Sequence, residues 1–148
     1  MDTQNEKGKP MGLIVYTGGT FDTFHWAHVE FLRRCADFGR VVVSLNTDEF
    51  IELYKGKPPV MSYAEREGVL LGCKYVDEVV PNYGGHDSTV AIEIVKPNIV
   101  VIGSDWARRN YYGQMCFDQD WLDERGIALC YVPYTQGISS TEIKNRLR

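Results

Sequence analysis

The chain has 148 residues, of which 44% are hydrophobic and 24% charged, with a formal net charge of −4. These values suit one globular domain that buries a core without disulfide or metal staples, and they exclude a chain disordered throughout. The acidic balance excludes general duplex binding, which needs a basic surface, and no apolar run approaches the ~20 residues that cross a bilayer. The four cysteines, Cys35, Cys73, Cys116 and Cys130, form no CxxC pair, so neither a disulfide framework nor a zinc site of ordinary spacing is expected. Residues 1–10 are polar and lack the apolar stretch of a signal peptide. Residues 1–11 therefore read as a flexible leader, residues 12–148 as a single domain, and the cytoplasm as its compartment.

Residues 13–16 form a short apolar run, followed by a loop, Thr17-Gly18-Gly19-Thr20. Phe31, Leu32, Cys35 and Ala36 recur at helical spacing and predict a helix over 27–38, with Gly39 as its C′ residue. Residues 41–45 read as a buried strand and 47–53 as a short helix. The segment Lys55-Gly56-Lys57-Pro58-Pro59 is expected to be non-helical, because two prolines in series forbid a helix. Ser62 and Glu65 make a capping box opening a helix that fades near Gly72. Residues 76–80 are a strand, and Asp87 or Ser88 caps a helix to about Lys96. Residues 99–102 are a further buried strand, followed by a long loop. Residues 118–125 form a short helix closed by Gly126, and 128–132 the last strand. Ser139 and Glu142 give a second capping box at the start of the C-terminal helix.

Continuously apolar strands, each followed by a helix, imply an α/β fold: about five parallel strands with helices on both faces. In such sheets ligands bind outside the carboxyl ends of the strands. The loops after Tyr16, Leu45, Ile102 and Val132 are therefore the places to look.

The first of these loops is the most informative. Gly18 and Gly19 let backbone approach a ligand, Thr20, Phe21 and Asp22 follow, and a helix start comes next. Free N–H groups and the helix dipole favour anions there. His25 and His28, three residues apart, lie on roughly one face of the first turn and can donate to phosphate oxygens. Two other readings stand beside this one: a pair of satisfied core histidines, or part of a metal site for which no further ligands are evident. Lys55 and Lys57 read either as a solvated basic loop or as an arm bringing ammonium groups to a triphosphate. After the fourth strand, Asp105 could meet a base amino group. Trp106 there offers either a stacking face or a packing aromatic. Thr135, Gly137, Ile138, Ser139, Ser140 and Thr141 form a second anion nest or a well-capped helix start. Two such nests on one sheet edge, with lysines between them, suggest a polyphosphate.

These segments resemble the cytidylyltransferase family of nucleotidyltransferases over residues 12–147. Gly19-Thr20-Phe21-Asp22 with His25-Trp26-Ala27-His28 resembles the family's GTFD…HxGH signature. Asn46-Thr47-Asp48-Glu49-Phe50 resembles its STDEF segment. Lys55-Gly56-Lys57 with Arg66 resembles its lysine loop and following helix. Tyr75-Val76-Asp77-Glu78-Val79 resembles YVDEV, and Gly103-Ser104-Asp105-Trp106 resembles GDDW. Thr135-Gln136-Gly137-Ile138-Ser139-Ser140-Thr141 resembles the RTEGISTT signature.

The resemblance implies a single-domain, Rossmann-like nucleotidyltransferase fold. It implies transfer of CMP from CTP to a small phosphorylated alcohol, with release of pyrophosphate, no covalent enzyme intermediate, and Mg²⁺ bound with the nucleotide. His25 and His28 would stabilise the transition state, with Lys55 and Lys57 holding phosphates. Gly18, Gly19, Thr20, Phe21, Asp22, Asp105, Trp106 and residues Thr135 and Gly137 through Thr141 would bind the nucleotide. Arg66, Arg108 and Arg109 are candidates for the second substrate. The resemblance also implies a homodimer, and no nucleic-acid or membrane partner is expected. The chain departs from the family pattern at Ala27 for the HxGH glycine and at Ser104 for the first GDDW aspartate. It departs again at Tyr134 for the arginine of RTEGISTT and at Gln136 for its acidic residue. An adenylyltransferase using ATP and a nucleotide-binding module without turnover are the alternatives.

Overall fold

The computed structural model describes residues 12–103, 115–133 and 138–147. Their elements run β1 (Ile14–Gly19), α1 (Trp26–Ala36), β2 (Arg40–Leu45), α2 (Asp48–Lys55), α3 (Tyr63–Gly72) and β3 (Glu78–Pro81). They continue with α4 (Thr89–Val95), β4 (Ile99–Gly103), α5 (Gln119–Glu124), β5 (Ala128–Val132) and α6 (Ser140–Arg146). The five strands form one parallel sheet in the order β3-β2-β1-β4-β5. The strand order reverses between β1 and β4, which places the switch point beside the loop after β1.

The strand centres are largely apolar because both faces are covered; in β2, residues 41–45 are all buried. Alternate residues feed two cores. Val15, Val41, Val43 and Val101 pack with Leu32 and Cys35 of α1 and Leu70 of α3 on one face. Tyr16, Val100 and Ile102 pack with Ala91 and Ile92 of α4 and Leu122 of α5 on the other. This is the layered α/β arrangement expected from the sequence, with helices on both faces.

The element boundaries correct the sequence reading at four places. Thr17, Gly18 and Gly19 are not loop: they extend β1 in register with Val43, Ser44 and Leu45 of β2. Lys55 is helical, the last residue of α2, because that helix runs on until Gly56 adopts a left-handed φ of 78° and donates its N–H to the Glu52 carbonyl. Gly39 is not the C′ residue of α1. The cap is Asp37, and Gly39 instead allows close passage of the chain, since a Cβ there would fall 2.5 Å from the Leu13 carbonyl oxygen. β3 begins two residues later than expected and ends at Pro81, which an edge strand tolerates.

The Ser62–Glu65 capping box is complete, each side chain accepting from the other's backbone N–H. The second is half made. Ser139 Oγ accepts the Glu142 N–H, while the Glu142 carboxylate turns to Arg146. At α4 the capping oxygen belongs to Asp87, which accepts from the Thr89 N–H, and Ser88 holds only the N-cap position. Among the described residues no helix is long and apolar enough to cross a membrane.

Candidate active site

At the carboxyl end of β1 the chain turns sharply. Phe21 and Thr23 both take left-handed backbone conformations, with φ of 51° and 47°. For a bulky residue such as Phe21 that conformation is strained, and it persists only where surrounding contacts over-determine it. Those contacts are present. Gly19 leaves room for the Phe21 ring, which a Cβ would meet at 2.8 Å. The Asp22 carboxylate accepts N–H groups from Thr23 at 3.1 Å, Val60 at 2.8 Å and Met61 at 2.9 Å, and lies 3.2 Å from the Lys144 ammonium. Burial pushes the Asp22 carboxyl up, but the Val60, Met61 and Lys144 hydrogen bonds outweigh it, and the net shift is downward.

This turn delivers His25 to the N-cap of α1 and His28 to its third residue. The two rings stack with centroids 3.8 Å apart. Phe24 stacks on His28 at 5.3 Å and Phe21 meets it edge-on at 5.2 Å. The His25 backbone N–H donates to His28 Nδ1 at 3.2 Å. That bond fixes the tautomer: the neutral His28 ring carries its proton on Nε2, which is left as a donor. Burial, reinforced by the neighbouring His25, lowers the His28 pKa to about 3, and burial lowers that of His25 as well. At neutral pH both rings are therefore uncharged, beside the positive end of a helix dipole. The two histidines are not satisfied core residues, since both remain only partly buried at the sheet's ligand edge. Ala27, in the place of the family glycine, is 7% exposed, so its methyl packs into the protein.

The lysine segment is pinned to this same turn at both ends. Before it, the Tyr54 hydroxyl lies 3.3 Å from Thr20 Oγ1; after it, Val60 and Met61 donate to Asp22. Lys55 and Lys57 themselves are exposed, with Lys55 Nζ 5.7 Å from the centre of the Tyr54 ring.

The start of α6 closes over the turn. Ser140 Oγ donates to the Asp22 carbonyl at 2.6 Å, Ser139 caps the helix, Ile138 is buried, and Thr141 is exposed. The structure thus brings together Gly18, Gly19, Thr20, Phe21, Asp22, His25, His28, Ser139 and Ser140. The readings at Asp105, Trp106, Arg108, Arg109, Thr135 and Gly137, and the departures at Ser104, Tyr134 and Gln136, lie outside the described residues.

Arg66 is placed differently from expectation. It is fully buried, and its guanidinium donates to the carbonyls of Met61, Thr20 and Asn46 and to Asp48 Oδ1 at 2.7 Å. Fully buried, with four of its five N–H groups bonded to the protein, it positions the loops after β1 and β2 rather than meeting a second substrate. Sequence reasoning also passed over Asn46, Asn82 and Lys144. Asn46 donates to Thr20 Oγ1 and accepts from Asn82, a side-chain chain along the sheet edge. Its only signal was membership of the STDEF-like segment, and for Lys144 there was none.

No group of three or more metal-ligating side chains occurs among the described residues. Asp22 does not fit as a ligand for Mg²⁺, because three N–H groups and an ammonium already occupy its oxygens.

The chain is similar to known proteins. A family profile described as cytidylyltransferase-like matches residues 16–146. Glycerol-3-phosphate cytidylyltransferase from Bacillus subtilis is 36% identical over 134 residues, 90% of this chain and 95% of that protein. A FAD synthase from Pyrococcus horikoshii is 34% identical over 99 residues, 66% of this chain and 67% of that one. Among solved structures, the lipopolysaccharide core biosynthesis protein from Thermoplasma volcanium shares the fold, with a TM-score of 0.66 at 24% identity over 85% of this chain and 98% of that chain. Fold, site and relatives together define a nucleotidyltransferase. More narrowly, the chain belongs to the cytidylyltransferase-like family.

Proposed function

We propose that the protein transfers CMP from CTP to a small phosphorylated alcohol, with glycerol 3-phosphate the first acceptor to test. The observation that carries this reading is the stacked His25–His28 pair at the start of α1, with a lysine segment tied to the same turn at both ends. The similarity to glycerol-3-phosphate cytidylyltransferases, at 36% and 34% identity, supports the choice of base and acceptor.

In the reaction, an oxygen of the acceptor phosphate forms a bond to the α-phosphorus of CTP. The bond from that phosphorus to the bridging oxygen breaks, and pyrophosphate leaves with the electron pair. Catalysis of such a step is positioning and charge stabilisation. His28 offers its Nε2–H to a phosphoryl oxygen as charge builds there, and the free N–H groups of the first turn of α1 add to it. Lys55 and Lys57 neutralise the leaving phosphates. Asp22 and Arg66 hold the loops in place. A divalent cation bound with the triphosphate would neutralise charge on the leaving pyrophosphate. The working form is a cytoplasmic homodimer, to be checked by sedimentation and cell fractionation.

A second reading, adenylyl transfer, is favoured by the match to FAD synthases over about two thirds of the chain and is kept as an outcome of the test. Pyrophosphate release in the presence of Mg²⁺, with each nucleoside triphosphate against a panel of phosphorylated alcohols, decides between them. Release with CTP and glycerol 3-phosphate is expected. Release with ATP alone would move the protein to adenylyl transfer. Silence with CTP still raising Tm would make it a binding module.

A further inference from the structure

Three segments distant in sequence meet on one carboxylate. Asp22 lies in the turn that presents the histidines. Val60 and Met61, 38 and 39 residues on, donate their N–H groups to its two oxygens. Lys144, 122 residues away in α6, reaches Oδ2, the oxygen that also accepts Val60. Ser140, one turn earlier in α6, donates to the Asp22 carbonyl. The carboxylate side chain is 5% exposed and the lysine side chain 31%.

We propose that Lys144 is a positioning residue: by pairing with Asp22 it locks the exit of the lysine segment and the start of α6 onto the turn that carries His25 and His28. Lys144 need not touch the substrate to act. A carboxylate shared among three backbone N–H groups, those of Thr23, Val60 and Met61, and an ammonium is held in one rotamer, and a single rotamer fixes where Val60 begins. Lys57 stands three residues before that anchor, so its reach toward the phosphates follows from the clasp. Docking of α6 and placement of the lysine segment are then one event rather than two. This rests on the reading of the site as a triphosphate cradle only for its kinetic consequence; the clasp itself is a property of the folded chain.

The test uses the full chain with Lys144→Met and Lys144→Arg. Amide hydrogen exchange is read at Val60 and Met61, and steady-state kinetics with CTP are measured in parallel. Lys144→Met is expected to speed exchange at these two amides about tenfold while the core strands stay protected, since the loss is of one charge-assisted bond. It is expected to lower kcat/KM for CTP by a similar factor, about tenfold, and Lys144→Arg is expected to restore both. Unchanged exchange with a raised KM would overturn the proposal, because Lys144 would then contact the nucleotide directly. Unchanged exchange with unchanged kinetics would overturn it as well. Asp22→Asn, which turns one acceptor oxygen into a donor, is expected to speed exchange at one or both amides, and protection equal to that of the parent chain would overturn the clasp. Exchange needs no turnover, so a protein inactive with CTP would fail the proposed function and still decide this one.

Discussion

Two charged side chains organise the loop after β1, and they do so from opposite sides. Arg66 works from within: it is fully buried and gathers backbone carbonyls from the loops after β1 and β2 together with Asp48. Asp22 works at the ligand edge: it gathers backbone N–H groups and a half-exposed lysine from α6. The guanidinium has no water to return to, so its contacts are a condition of folding. The Asp22 carboxylate is buried too, but its Lys144 partner borders solvent, where the ammonium can be rehydrated at modest cost. The difference predicts that damage at Arg66 shows in stability and damage around Asp22 shows in rate.

The largest expected effect tests the first half of that comparison. Arg66→Met leaves Asp48 without its cationic partner and removes the guanidinium donor from three carbonyls, and should cost about 3–5 kcal/mol in urea unfolding. A loss below ~1 kcal/mol would mean that the buried guanidinium and its half-exposed Asp48 partner contribute little and that the two hubs do not differ.

His28→Ala tests the other side. Removing a preorganised donor should lower kcat by about 10²–10³-fold while Tm moves little. Near-parental turnover in pyrophosphate release would take His28 out of the mechanism.

A gentler probe is pH. The folded-state pKa of His28, about 3, lies below its ordinary 6.5, so between those values the unfolded chain binds a proton that the folded chain does not. Stability is therefore complete above pH 6.5 and falls as pH drops toward 3, with a slope of at most about 1.4 kcal/mol per unit from this group. The Asp22 carboxyl, shifted below its ordinary 3.8, adds a further loss as pH falls through its folded value. Urea titrations at several pH values should show the slope, and His28→Ala should flatten it; an unchanged slope would place the proton elsewhere.

Lys57→Ala is the smallest change, expected to lower kcat/KM for CTP by only about three- to tenfold without loss of stability, because an exposed ammonium acts on phosphates through solvent-screened attraction. Equal loss with all anionic substrates at high salt would argue against that account.

The sequence carried the sheet well. Strongly apolar runs such as residues 41–45 and 99–102 leave little alternative to a doubly covered parallel strand. The histidine pair was legible because its spacing and its glycine neighbours are local. Arg66 was misread because arginine beside a lysine loop suggests phosphate. A better signal was there: Tyr63, Arg66 and Leu70 share helical spacing on α3, which puts the guanidinium on the apolar face. The Asp22–Lys144 contact could not be read at all, since a pair 122 residues apart leaves no periodic trace.

The double tether of the lysine segment has one more consequence. With Tyr54 and Val60 both fixed beside the histidine turn, the five residues between them form a short closed strap. Closing a short loop in advance costs its entropy during folding instead of during binding. The ammonium groups on it are then confined to a small volume beside that turn, and their effective concentration there is set by the length of the strap rather than by any buried contact. Lengthening the strap by a few glycines would dilute those charges while removing none of them.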